Sequence, residues 1–452
     1  MRTIFKIYVI TALLVLSGSK GFAQDNTSKV LTLSECFGYA FENSYELRKV
    51  VLDRLESEAA HNENKASLFP QITGSATLTN NIKLASMLMP GEFIGHDGDI
   101  AIEMGAKYNS YAGLDLEQVL FDASLFTGIK ISRNARELMR LKEQMTREEL
   151  IYNIGNAYYD IIYSQKLLES KLLTFAIMDS IYVKTELQVA QNIIREIDLN
   201  RMKVNISNMK VDIQKSLATI VQQKNYLKVL IGMPTEYDFM VTEQIEVPTA
   251  EKIDVEDTNI RNQIDLQILN KELTAASLGV RQIKNSYIPT LSLQASSSYN
   301  FEAQKFKLSN SQFWSNGTHV QLTLSIPIFD GGQKHHKIKQ ANYRLQKVQD
   351  EIKKTEQTIL GNRESYRALL LAGYNSVQAQ HENLEIAEKN YQQGIMLYEE
   401  GLYSVTDLLD TEKSYREAQT AYTYELVNYQ KTMLDMMKAE GTLDTLVSNN
   451  KK

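Results

Sequence analysis

Two carboxylates, Asp407 and Asp410, lie close together on one predicted helix, and paired carboxylates can attract cations. They are three positions apart, so on a helix their side chains share one face. Like charges that are held together repel each other and attract cations. On an arbitrary helix such a pair is an ordinary solvated face, and an electrostatic site that attracts cations is the alternative.

Residues for catalysis or metal binding do not form a recognisable group. His335 and His336 are adjacent, so their side chains diverge by about 100° on a helix, and we expect no ligand role for them. The single cysteine, Cys36, excludes an intramolecular disulfide and a cysteine metal cluster. The sequence has no phosphate loop, zinc-binding helix or nucleophile elbow. We predict no catalytic residue, no cofactor and no bound metal, and hence a protein that is not an enzyme.

The N-terminus has the pattern of a secretory signal peptide. Arg2 and Lys6 precede a mainly apolar run at 7–16, and Gly21-Phe22-Ala23 offers small residues for cleavage. We predict a signal peptide over residues 1–23, with a short membrane anchor as the alternative.

Composition narrows the class of protein further. The chain has 452 residues and a net charge of −6, which becomes more negative when the three cations of the leader are removed. Without a basic patch, nucleic acid is not an expected partner. No later apolar run is long enough for a membrane-spanning helix. An exported chain of this kind is either soluble or a β-barrel.

A strand pattern at 319–329 organises the second half of the chain. Polar residues alternate with apolar ones, which is typical of a strand with one apolar face. The apolar positions span about nine residues, the length of a barrel strand in a membrane. We predict that they face lipid. These positions are Val320, Leu322, Leu324, Ile326 and Ile328.

The first half carries a matching strand at 111–122, whose Leu114 and Leu116 are also predicted to face lipid. Both strands end in Phe-Asp, at an offset of 208 residues. Alternation also predicts strands at about 71–80 and 290–301. Residues 81–110 contain several glycines and one proline, and we predict an irregular loop there.

Long helices are predicted after each pair of strands. No proline occurs between Pro90 and Pro234, and the pattern predicts a helix from Ala123 to about Ile193, a break near 191–196 and a returning helix that ends at Gly232. An earlier helix is predicted from Leu31 to Ala66, with Ser34 as its cap. In the second half, apolar and small residues step by three and four. This seam is Ile338, Ala341, Leu345, Val348, Ile352, Thr355, Ile359, Asn362, Tyr366 and Leu369.

The two halves therefore form a structural repeat. We predict repeat 1 at 31–245, repeat 2 at 250–445 and a polar tail at 446–452, with two strands and a long helix pair in each repeat. Four strands cannot close a barrel, and a membrane does not tolerate open sheet edges. Two chains would give eight strands and a filled interior, whereas three would give twelve and leave a lumen. We predict a mainly α-helical homotrimer with a membrane β-barrel portion; a soluble coiled-coil scaffold is the alternative.

Several motifs resemble the TolC family of outer-membrane efflux and secretion channels. They are Leu68-Phe69-Pro70, the two Phe-Asp strand ends, Leu230-Ile231-Gly232-Met233-Pro234, Tyr398-Glu-Glu-Gly401 and Val405-Thr-Asp-Leu-Leu-Asp410. The resemblance implies a trimeric, 12-stranded barrel in the outer membrane of a Gram-negative bacterium, joined to an α-helical periplasmic tunnel. It also implies a passive conduit that works with a periplasmic adaptor and an inner-membrane pump or transporter. Drug efflux, metal efflux and protein secretion all remain open.

The resemblance also implies a periplasmic gate. The residues matching Asp407 and Asp410 form an acidic ring at the closed end, and the residue matching Tyr398 helps to hold that end shut. Gly401 fixes the spacing of the motif, and Asp198 is the counterpart of Asp407 in repeat 1. Tyr403 stands where family members can place an arginine, so any charge link from that position is absent here.

Overall fold

The computed structural model describes residues 29–241 and 260–448, except positions 91, 93, 94, 96 and 310. The predicted signal peptide, the repeat limits at 245 and 250 and the last four residues of the predicted tail lie outside the described residues.

Helices account for most of the described chain. They are α1 (Leu33–Asn43), α2 (Tyr45–Ala66), α3 (Ala123–Ala190), α4 (Glu196–Ile231), α5 (Ile264–Asn285), α6 (Gln333–Glu399), α7 (Val405–Glu440) and α8 (Thr445–Ser448). Among these helices, none combines the length and the apolar character needed to cross a bilayer. The fold is thus mainly helical, as the sequence predicts.

The strands form three sheets. They are β1 (Lys29–Leu31), β2 (Gln71–Asn80), β3 (Ala85–Pro90), β4 (Asp99–Met104), β5 (Tyr108–Phe121), β6 (Phe239–Val241), β7 (Thr290–Ala303) and β8 (Trp314–Ser325). The main sheet is antiparallel in the order β2-β5-β7-β8, so β2 and β8 are its edges. β3 and β4 form a separate hairpin, and β1 pairs with β6 in parallel.

The register of the main sheet separates an apolar face from a polar face. One row across all four strands contains Ile72, Leu116, Ala295 and Val320. A row on the opposite face contains Gln71, Glu117, Gln294 and Gln321. Side chains on opposite faces alternate along a strand, so the two rows point away from each other. An irregularity in β5 between Val119 and Phe121 places Phe121 opposite Leu291, on the apolar side.

The two repeats pass from strand to helix in different ways. In repeat 1 only Asp122 separates β5 from α3, and its Oδ1 accepts the backbone N–H groups of Ser124 (2.7 Å) and Leu125 (3.0 Å). In repeat 2 residues 326–332 separate β8 from α6, and Gly331 and Gly332 have φ values of +66° and +82°. Both connections satisfy the first amides of the helix with an aspartate, since Asp330 has the corresponding role in repeat 2.

Two compact units divide the described chain. The first contains residues 29–43, 154–241 and 379–427, and the second contains residues 44–153, 260–378 and 428–448. The core of the first unit joins the ends of all four long helices. Its buried residues are Met178, Ile181, Met202, Ile206, Met209, Tyr391, Tyr398, Val405, Leu408 and Tyr415.

Strand β8 corrects the prediction for 319–329, because it begins at Trp314 and ends at Ser325. Pro327 has no N–H group to donate to a ladder, and the partner strand β7 begins at Thr290, opposite Ser325. Ile326 and Ile328 therefore lie beyond the strand, and assigning them to it is wrong. Both side chains are nevertheless exposed.

Three further predictions need correction. Residues 81–110 contain the β3–β4 hairpin, and β1 and β6 also raise the strand count above four. Consecutive apolar residues at 87–89 conceal the alternation of β3 in the sequence. The helix predicted from Leu31 to Ala66 is interrupted at Ser44, and its start is capped by Thr32: Thr32 Oγ1 accepts the Glu35 N–H (3.3 Å), and Glu35 Oε2 accepts the Thr32 N–H (2.9 Å).

The seam of α6 also departs from the prediction after Ile359. Asn362 and Leu369 are exposed, whereas Arg363 and Leu370 are buried. Positions 369–371 are all leucine, so the sequence fits both registers. After Ile359 the next buried position is Arg363, four residues further on, whereas the predicted seam continued at Asn362, three residues further on.

Candidate gate at the turns of the long helices

The turn between α6 and α7 depends on Gly401. Its φ is +75°, a left-handed conformation that glycine adopts without the steric cost of a Cβ. The Leu402 N–H donates to the Leu397 carbonyl (2.8 Å), and the Gly401 N–H donates to the Tyr398 carbonyl (3.0 Å). These bonds end α6 with a Schellman-type cap and reverse the chain within five residues.

The turn between α3 and α4 has the same construction in repeat 1. Asn192 is 209 residues before Gly401 and has a φ of +60°. The Ile193 N–H donates to the Gln188 carbonyl (2.9 Å), which corresponds to the bond between Leu402 and Leu397. Asparagine tolerates the left-handed region better than most residues, so both turns are encoded locally.

Each turn is followed by an acidic side chain in the first turn of the returning helix. Asp407 Oδ2 accepts hydrogen bonds from the Ser404 N–H (3.2 Å) and the Ser404 hydroxyl (2.6 Å), and the Asp407 N–H donates to Ser404 Oγ (3.2 Å). In repeat 1, Asp198 lies 2.9 Å from the Nε of Arg195 and is buried. Asp407 therefore has a capping role that the sequence did not predict, whereas Asp198 pairs with the side chain of Arg195.

Tyr398 is buried beneath the turn. Its hydroxyl lies 2.6 Å from Thr185 Oγ1, and the Thr185 hydroxyl donates to the Ile181 carbonyl, so Tyr398 is the donor of this pair. Burial is the main cause that raises the pKa of Tyr398, and the carboxylate of Asp198 adds to it. Tyr398 thus joins α6 to α3 by a hydrogen bond within the core.

Asp407 and Asp410 lie together at the surface. Both are exposed, and both line a groove of about 310 Å³ between α6 and α7 that also contains Tyr403. The shared face predicted from their spacing is present, and Tyr403 occupies the position next to it. The five predicted gate residues thus separate into an exposed pair, a turn glycine and two buried side chains.

Glu412 is a buried carboxylate that sequence analysis missed. It is 0% exposed, and its oxygens accept no hydrogen bond of good geometry among the described residues. Burial raises the pKa of Glu412, while the Arg416 guanidinium, 3.3 Å away, and the Asn205 amide lower it in part. The one sign of this site in the sequence is a charged residue at a core position. Glu412 is seven residues after Val405, which is the heptad spacing of core residues.

The sequence is similar to those of known outer-membrane proteins. The sequence profile of the outer membrane efflux protein family matches residues 257–442. The chain is 22% identical to the outer membrane protein TolC of Salmonella enteritidis over 92% of its own length and 83% of that protein. It is 23% identical to the cation efflux system protein CusC of Escherichia coli O157:H7, over 88% of this chain and 82% of that one.

A solved structure agrees with these matches. The CmeC outer membrane channel of Campylobacter jejuni superimposes with a TM-score of 0.72 at 15% identity, over 92% of this chain and 88% of that one. The fold is that of the outer-membrane channel proteins. Residues 257–442 match the outer membrane efflux protein family, and the TolC-family resemblance predicted from the sequence is confirmed.

Replacing Gly401 tests the turn. Gly401→Ala should destabilise the protein by about 1 kcal/mol, since a Cβ is unfavourable at positive φ. Gly361 is the matched control, because it lies within α6 and a Cβ added there would meet no atom within 4 Å. Gly361→Ala should be neutral or stabilising by up to about 1 kcal/mol. Thermal unfolding midpoints in detergent measure both; a midpoint for Gly401→Ala at or above wild type would contradict the role of the turn.

Glu412→Gln tests the buried carboxylate. A raised pKa in the folded state means that stability falls as the pH rises from the ordinary carboxyl pKa through the raised one. At pH 8 we expect Glu412→Gln to stabilise the protein by about 1–3 kcal/mol, and this gain should shrink by pH 5. The exposed Glu417→Gln control should change stability by less than about 0.5 kcal/mol. Equal destabilisation of Glu412→Gln at both pH values would show that the charge is required.

Proposed function

We propose that this protein is the outer-membrane channel component of a tripartite efflux or type I secretion system. It is a passive conduit that carries substrates from an inner-membrane transporter across the periplasm and the outer membrane of a Gram-negative bacterium. The family match and the whole-chain relatives favour this function over a periplasmic scaffold.

The observation that carries the proposal is the uncovered apolar face of the main sheet. Val320, Leu322 and Leu324 are all more than half exposed, and Leu114 is exposed as well. A soluble protein rarely leaves so continuous an apolar face in water. A lipid-facing barrel wall has the same pattern, with polar residues on the lumen side.

The open edges of the sheet support a trimer. Strands β2 and β8 each have one unpaired side within the chain, and bilayer lipid offers no hydrogen bonds to them. Pairing β8 of one chain with β2 of the next satisfies both edges. Three chains then give a 12-stranded barrel with a lumen, whereas eight strands would leave the interior filled.

The long helices form the periplasmic part of this assembly, and Asp407 and Asp410 line its gate. Three chains would bring six carboxylates towards the axis, where they would attract cations. Tyr398, within the core, and the exposed turn at Gly401 hold the pair in position. A periplasmic adaptor and an inner-membrane pump or transporter are the proposed partners.

Charge insertion into the sheet tests the membrane assignment. Val320 lies near the middle of β8 on the apolar face, and Gln321 points to the opposite face. Arginine on a lipid face at the bilayer midplane costs about 2–4 kcal/mol. We expect Val320→Arg to reduce the amount of assembled protein in outer-membrane fractions and Gln321→Arg to leave it near wild type. Equal assembly of the two variants would contradict the orientation of the sheet.

Charge removal tests the gate. Asp407→Asn combined with Asp410→Asn removes the charges and keeps an oxygen that can accept the Ser404 hydrogen bond. We expect the double variant to lose most cation selectivity and block by multivalent cations in planar bilayers. Glu399→Gln with Glu400→Gln removes two exposed charges from the same turn, outside the groove. Loss of selectivity in this control, or its retention in the aspartate variant, would exclude Asp407 and Asp410 as the ring.

A further inference from the structure

A basic segment opens helix α6. Four exposed residues within five positions carry basic side chains; they are His335, His336, Lys337 and Lys339. Neither Lys337 nor Lys339 forms an ion pair with a carboxylate of the described residues. Lysines further along the same helix differ in this respect, because Lys353 pairs with Asp350 and Lys354 with Glu351.

The fold itself does not require this basic segment. The N-terminus of α6 is already capped by Asp330, which accepts the backbone N–H groups of Gly332 and Lys334 (both 3.0 Å). These bonds lower the pKa of Asp330. Cations near a helix N-terminus are unfavourable because of the helix dipole. Repeat 1 makes the equivalent transition at Asp122 with Ala-Ser-Leu-Phe-Thr-Gly-Ile over 123–129, which contains no basic residue.

Apolar side chains stand exposed just before the basic segment. Ile328 is 92% exposed and Phe329 is 90% exposed, in the connection between the end of β8 and the start of α6. Three of the basic residues, His335, His336 and Lys339, fall within an arc of about 100° on the helix. Tyr343 is one turn further on the same face and is 61% exposed. Aromatic and basic side chains in this combination are typical of the boundary between a membrane and water.

We propose that this basic segment, together with Ile328 and Phe329, binds the phosphate headgroups of anionic glycerophospholipids in the inner leaflet of the outer membrane. The inference rests on the proposed function, which makes the end of β8 at Ser325 the periplasmic edge of the barrel. The exposed apolar pair enters the acyl region, and the basic side chains meet the phosphates. The charges are complementary, and the segment follows β8 directly along the chain.

The test compares two double variants of equal charge. Lys337→Gln with Lys339→Gln alters the basic segment. Lys353→Gln with Lys354→Gln lies about 21 Å further along the same helix, beyond two Debye lengths at 0.1 M salt. Oligomers are purified from outer-membrane fractions in neutral detergent, and their affinities for phosphatidylglycerol and for zwitterionic phosphatidylcholine are measured by native mass spectrometry.

We expect wild type to prefer phosphatidylglycerol, with a preference that decreases as salt rises. The Lys337/Lys339 variant should bind phosphatidylglycerol about 10- to 30-fold more weakly, as expected for two basic residues near a membrane surface. The Lys353/Lys354 variant should stay within about twofold of wild type. Because every measurement starts from oligomer recovered from the outer membrane, failure to recover wild type there would count against the proposed function instead.

Three results would overturn the lipid proposal. The first is the absence of a phosphatidylglycerol preference in wild type, or its retention in the Lys337/Lys339 variant. The second is dissociation of that variant's oligomer with unchanged lipid preference, which would assign the surface to contact between copies of the chain. The third is stronger binding of lipid A than of phosphatidylglycerol, which would assign the segment to lipopolysaccharide.

Discussion

Unpaired backbone groups at the two edges of the main sheet are the constraint on which the proposed architecture depends. Inside one chain, β2 and β8 each leave one side without a ladder, while the sheet leaves its apolar face uncovered. Water could satisfy the edges but not the apolar face, and lipid could accommodate the face but not the edges. In the proposed barrel both requirements are met together, because neighbouring chains close the sheet within a membrane. Oligomerisation is then a condition of membrane insertion.

The two helix pairs share the backbone geometry of their turns but differ in the side chains exposed there. Asn192 and Gly401 form equivalent left-handed turns, and Asp198 and Asp407 lie at equivalent positions in the helices that follow. The copies diverge in exposure, because Asp198 is buried against Arg195 while Asp407 is exposed beside Asp410. An acidic pair is therefore available for a gate in repeat 2 only, although the backbone geometry of both turns is shared.

The sequence predicted what depends on local pattern. Alternation placed β2 correctly, and the absence of proline together with the pattern near 191–196 placed the break between α3 and α4. The TolC-family resemblance is confirmed, whereas the efflux function, the outer-membrane location, the barrel, the trimer and the gate are proposals. Local pattern did not predict the end of β8, because that end depends on a partner strand. β8 ends at Ser325, where β7 begins opposite it. Local pattern also missed Glu412 and Thr185, whose importance comes from residues far away in sequence.

The two strand-to-helix connections have a mechanical consequence. A single residue joins β5 to α3, so the rotation of α3 about its axis follows the twist of the strand, and the bulge at Val119–Phe121 sets its phase. Seven residues with two left-handed glycines join β8 to α6, and this longer connection transmits torsion poorly. Within the second unit, the start of α3 is thus held more tightly to its strand than the start of α6 is.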